Sequence, residues 1–176
     1  MIKMATKKTS MFTLTERLTI TAGATQTFAS IDLGSYVDVG DRQALQVHSV
    51  DFIFQGQTAA SDISTDLGPG REAMIQVTDL NRGGLVFCND RALVASGRMN
   101  CDAQGGLDQS ADLYPDNFGK GSDDGRYVVN DELYITGLCT ALANDVNVTI
   151  RVNASIVTLG AKDFMAIAIQ STAADN

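Results

Sequence analysis

The sequence predicts an all-β protein built as a two-sheet antiparallel sandwich, on three observations. First, residues 145–159, DVNVTIRVNASIVTL, alternate strictly: Val146, Val148, Ile150, Val152, Ala154 and Ile156 fall on every second position, with Asn147, Thr149, Arg151, Asn153 and Ser155 between them. That period of two marks a strand with one face in a core and the other in a polar setting. Second, about eight strand-like segments are separated by turn-rich stretches, and no long helical periodicity interrupts them. Third, 176 residues, 44% of them apolar, suffice for one domain with a core that needs no disulfide staples. Eight strands in two sheets is the jelly-roll count.

Taken in order, residues 1–10 form a flexible basic arm carrying Lys3, Lys7 and Lys8 and no acid. Residues 11–20 place Phe12, Leu14, Leu18 and Ile20 on one face, with Glu16 breaking it, which suits an edge strand. A turn at Ala22-Gly23-Ala24 leads to a weaker strand over 25–33, and 34–42 reads as a loop. Residues 44–55 make another strong strand in which Leu45 and Val47 are out of phase with Val50, Phe52 and Phe54. A β-bulge shifts phase by one residue in this way, and His48-Ser49 is where it would sit. Residues 57–70 are a small, polar surface loop. Strands at 73–77 and 85–88 form a hairpin around Asn81-Arg82-Gly83-Gly84, with a further short strand at 91–95.

Periodicity then disappears, and 96–126 reads as a long irregular loop with six of the 16 glycines. Loops of that length are commonly functional or interface-forming. Residues 127–136 return to strand, 137–144 connect, and the long strand follows. KDFMAIAIQ at 162–170 fits either a short helix or a closing strand, and 171–176 is a frayed end. The sandwich domain therefore spans 11–170.

The formal charge of −8 is uneven: the arm contributes +3, while residues 99–145 hold nine acids against Lys120 and Arg126. Three lysines bind phosphates weakly in one copy, and in a multimer they add by avidity. No apolar run reaches the roughly 20 residues that span a bilayer. The N-terminus lacks the apolar core of a secretory signal, so the expectation is a protein kept in the cytosol or exported without a signal. Asn147-Val-Thr and Asn153-Ala-Ser match the glycosylation pattern, but they lie inside the long strand and are discounted.

Chemistry is sparse. Cys88, Cys101 and Cys139 lack CxxC spacing, and with His48 as the one histidine a zinc site is disfavoured. His48 has no nucleophile motif to serve and reads as a strand residue near a bend. Asp112, Asp116, Asp123 and Asp124 are weak candidate calcium ligands, oxygen-rich but outside any known calcium-loop spacing. Residues 119–125, GKGSDDG, lack the GK[ST] ending of a phosphate loop. A glycosidase needs two acids that meet in space, and only three glutamates are present. Aromatic content of 6% and the lack of tryptophan speak against a sugar platform. No cofactor is expected, and the chain reads as a non-enzyme.

The arm MIKMATKK, the strand LQVHSVDFIF and the late strand VNVTIRVNASIVTL together resemble the single jelly-roll coat proteins of icosahedral viruses. The resemblance is architectural and carries over no individual binding or catalytic residue. It implies a self-assembling capsid subunit that partners with copies of itself, with Lys3, Lys7 and Lys8 as candidate nucleic-acid contacts. It also implies a location in the virion after assembly in the host cytoplasm. The family's arms are often more basic than this one, which weighs against direct genome packaging. The alternative is a ligand-binding sandwich, such as a carbohydrate-binding module with a calcium-stabilised acidic loop.

Overall fold

The alternation of the late segment is realised as one 13-residue strand, Val146–Thr158, about 43 Å long at roughly 3.3 Å per residue. The computed structural model describes residues 6–7, 9–23, 26–111, 125–140 and 143–172. In chain order the strands are β1 (Thr6–Lys7), β2 (Phe12–Ile20), β3 (Thr27–Asp32), β4 (Gln43–Gln55), β5 (Arg71–Thr78), β6 (Leu93–Cys101), β7 (Leu107–Ala111), β8 (Arg126–Val128), β9 (Glu132–Cys139) and β10 (Val146–Thr158). A short helix α1 (Ile63–Leu67) precedes β5, and α2 (Ala161–Thr172) follows β10.

Two antiparallel sheets pack face to face. One has the order β1-β10-β4-β8, with β2 also paired to β10; the other has the order β3-β9-β5-β6-β7. β1 and β2 lie along the same edge of β10, Thr6 opposite Thr158 and Phe12 opposite Ala154, so they act as one interrupted strand. With β7 set aside as an addition, the remaining strands pair outermost with outermost: β2 with β10, β3 with β9, β4 with β8, β5 with β6. A chain doubled back in that nested order and rolled across two sheets is a jelly roll.

The core lies between the sheets. All six alternating positions of β10 from Val146 to Ile156 point into it, opposed by Ile75, Val77, Leu133 and Ile135 of the other sheet. Each valine, isoleucine or leucine among them contributes about 1.5–3 kcal/mol on burial. The phase change in β4 is a bulge: Ser49 faces Asn153 and Val47 faces Ala154, leaving His48 as the extra residue. Leu45, Val47, Phe52 and Phe54 thereby all reach the core. Gly97 stands at an inward position of β6, where a Cβ would come within 2.8 Å of the Phe52 ring atoms, so the two sheets can close there only over a glycine.

Several expectations are corrected. The region read as an irregular loop over 96–126 contains most of β6 and all of β7, paired from Gly97–Ala111 to Cys101–Leu107. Only 112–124 of it lies outside the described residues. Residues 85–88 are not a strand; the partner of β5 is β6, and the segment between them crosses the outer face of the sheet. The strand expected at 127–136 is two, β8 and β9. The arm expected to be flexible over 1–10 is tied down at Thr6–Lys7, and the end expected to fray from 171 remains helical through Thr172. α2 settles the open choice as a helix: Phe164, Ile167 and Ala168 share one face and pack on Ala44, Val129, Val157 and Leu159 at one end of the first sheet.

Candidate interaction surface

The candidate calcium ligands Asp112, Asp116, Asp123 and Asp124 lie outside the described residues, as do Lys3 and Lys8. Lys7 is held by its backbone against Val157. Among the described residues, no group of three or more His, Cys, Asp or Glu is placed to hold a metal ion. Cys101 and Cys139 are buried and Cys88 is exposed, all three free thiols. No helix among the described residues is long and apolar enough to cross a membrane.

His48 Nε2 lies 2.9 Å from Ser155 Oγ, a pairing the sequence did not announce. Ser155 is fully buried, and its hydroxyl donates to Gln46 Oε1 at 3.4 Å. The pair sits at the β4 bulge, where His48 is the extra residue. The Asn153 amide is likewise engaged, with Thr13, Ser49 and Asp51, and the Asn147 amide donates to the Gly56 and Gln57 carbonyls.

Two buried carboxylates hold the connections. Asp66 accepts the Gln57 N–H at 2.7 Å and the Asn144 amide at 2.9 Å. Hydrogen bonds from the Ser61 hydroxyl, the Gln57 N–H and Asn144 pull its carboxyl below the ordinary range, against the opposing effect of burial. Asp79 is pushed the other way. Burial raises it, opposed by the Arg126 guanidinium 3.2 Å from Oδ2, and its Oδ1 has no hydrogen-bond partner. Arg126 also donates to the Arg91 carbonyl, and Asn130 to the Asp79 carbonyl.

Those contacts fix both ends of the segment joining β5 to β6. Within it, Asn81 Oδ1 accepts the Gly83 N–H at 3.0 Å, and Arg82 pairs with Asp90 at 2.9 Å. The Gln76 side chain, on the outward face of β5, then imitates a strand: it donates to the Val86 carbonyl at 2.9 Å and accepts the Val86 N–H at 2.8 Å. Residues 85–88 are thus laid over the sheet. Between them and Met74 and Arg98 runs a groove of about 290 Å³, with Phe87 at its rim, 87% exposed. Met74 and Arg98 face each other across the strand pair, and Arg98 Nη2 donates to Met74 Sδ at 3.6 Å. A second, smaller groove of about 250 Å³ lies farther along the same sheet, lined by Phe28, Tyr134, Asn81 and Thr136.

Further large apolar side chains face solvent at Met11, Val39, Met165 and Ile169. Exposed singly, such residues need no explanation. No protein-family model and no curated protein matches this chain.

Proposed function

We propose that this chain is a structural, self-assembling subunit, a viral coat protein whose jelly-roll body packs against copies of itself to form a shell. The observation that carries the reading is a jelly roll that presents large apolar side chains from a scaffold held rigid by internal hydrogen bonds, Phe87 foremost. Its function on this reading is association and not catalysis. Specific interfaces bury about 1,200–2,000 Å² in total, and in a closed shell many weaker ones suffice through avidity. Lys3, Lys7 and Lys8 add a small positive charge per copy to an otherwise acidic chain, so any nucleic-acid contact is cumulative over many subunits.

The test is light scattering of the purified protein across salt and concentration, with electron micrographs of any large fraction. Shells, rings or capsomer-sized oligomers are expected; a monomer under every condition overturns the reading. One observation favours a second reading, a ligand-binding sandwich. Phe28 and Tyr134 flank the smaller groove with polar neighbours, as a sugar ring would require. A monomer whose melting temperature rises with a glycan would support that instead.

A further inference from the structure

In the groove beside Phe87, two polar groups meet no acceptor. Ser96 is only 3% exposed, yet its Oγ has no hydrogen-bond partner among the described residues, and neither has the buried Nε of Arg98. Both residues line the groove. Their placement follows from the strand. Gly97 faces inward at Phe52, so Ser96 and Arg98 on either side of it face outward, roughly 7 Å apart along β6. Gln76, opposite Ser96 on β5, commits its amide to the Val86 backbone instead. A buried donor left unpaired costs stability, so two of them lining one groove call for acceptor oxygens from outside the fold.

We infer that this groove binds a small aromatic monocarboxylate, its oxygens accepting from the Ser96 hydroxyl and the Arg98 Nε–H and its ring lying against Met74, Val86 and Phe87. The inference goes beyond the self-assembling reading and does not depend on it. Charge fixes the head group. Glu72 lies 3.5 Å from Arg98 Nη1 and offsets part of the guanidinium charge, and the whole chain carries −8. A dianion such as a phosphate monoester is disfavoured there, whereas a single negative charge gains two charge-assisted hydrogen bonds. A carboxylate that accepts one bond of about 2.8 Å through each oxygen bridges donors at this separation. Contacts of Nη1 with Glu72 and of Nη2 with Met74 hold the guanidinium and leave Nε as the group still to be met.

The walls fix the rest of the ligand. The Met74 thioether favours contact with an aromatic ring, and Val86 and Phe87 add apolar surface. The groove's volume of about 290 Å³ compares with the roughly 150 Å³ that holds a benzene ring, which leaves room for the carboxylate. For a ligand of this size a Kd on the order of 1 mM is expected.

Cys88 lines the same groove and is exposed, whereas Cys101 and Cys139 are buried, so its alkylation by N-ethylmaleimide reports occupancy. The probes are phenylacetate, phenylacetamide (the ring without the charge) and acetate (the charge without the ring), with Cys88→Ser as the blank. At about ten times its Kd, phenylacetate is expected to slow the alkylation about fivefold or more, and the other two to leave it unchanged. Titration calorimetry with the same three probes reads binding directly. Ser96→Ala and Arg98→Gln are each expected to raise the Kd about tenfold or more. Since the Ser96 hydroxyl is buried and unpaired, Ser96→Ala keeps or raises the melting temperature, so its loss of binding is not a loss of fold.

No heat and no protection with phenylacetate overturn the inference, and the groove then holds solvent only. Equal binding of phenylacetamide overturns it as well, since the groove is then merely apolar, and so does equal binding of acetate or undiminished binding by Ser96→Ala. Assembly without phenylacetate binding defeats this site and leaves the coat reading standing; binding by a chain that stays monomeric does the reverse.

Discussion

Replacing Asp66 by asparagine swaps one carboxylate oxygen for an amide NH2, and the geometry leaves that group nowhere good to go. Oδ2 receives the Gln57 N–H and Oδ1 the Asn144 amide, so whichever way the new side chain is turned, one donor faces another. The charge that strengthened the remaining bonds is lost as well. Hydrogen bonds to charged groups contribute about 1.5–3 kcal/mol each, and a buried donor left unpaired costs about 1–3 kcal/mol. Since the group is buried and spans two connections, β4–β5 and β9–β10, Asp66→Asn is expected to cost about 2–4 kcal/mol.

The assay is urea unfolding followed by far-ultraviolet circular dichroism, since the chain has no tryptophan. At a slope of about 2 kcal/mol per molar, the midpoint falls by roughly 1–2 M. The pH dependence adds a second check. The folded-state pKa of Asp66 lies below its unfolded value, so the unfolded chain binds the proton more tightly. The stabilisation is fully present above roughly pH 4, the unfolded value, and is lost as pH falls through the folded one. The difference between wild type and Asp66→Asn is therefore level from pH 8 to 5 and narrows below 4. A variant that unfolds at the wild-type midpoint at pH 7 would refute the account of the site, and a difference unchanged down to pH 2 would refute its electrostatics.

Two further perturbations separate packing from charge. Gly97→Val forces a side chain against the Phe52 ring, and overpacking of this kind is expected to lower stability by about 1–3 kcal/mol in the same urea assay. Arg126→Met strips Asp79 of its counter-charge and, with the aspartate ionised, costs about 3 kcal/mol at pH 7. Asp79 is raised on folding, so here the folded state holds the proton more tightly, and stability falls as pH rises through the folded value. Unfolding midpoints should show the Arg126→Met defect shrinking as pH is lowered toward 4; a defect that grows on acidification would contradict the assignment.

What could be read from the chain tracks how directly each residue reports its own surroundings. β10 was legible because every inward position is apolar, and the bulge at His48 because Leu45 and Val47 must reach the same core as Phe52 and Phe54. β6 was legible only at its start, within the strand expected at 91–95, and beyond Ala95 it was hidden for the converse reason. Its inward position 97 is a glycine, chosen to make room for Phe52 of the facing sheet, so the alternation breaks where the packing is tightest. β7 showed no pattern because an edge strand pairs on one side only, and Gln109 spends its amide on the Phe52 carbonyl instead of presenting an apolar face.

The surface at Phe87 was misread by the same locality. Residues 85–88 are apolar and follow a turn, which is what a hairpin strand looks like when its partner is taken to be the preceding segment. The deciding contact is between the Gln76 side chain and the Val86 backbone, and no periodicity encodes it. A strand would have turned alternate residues toward the sheet and satisfied its backbone along its length. A segment held at Val86 by a side chain leaves Phe87 outward on a rigid perch. The feature that argues for a partner is therefore a consequence of the hairpin not forming.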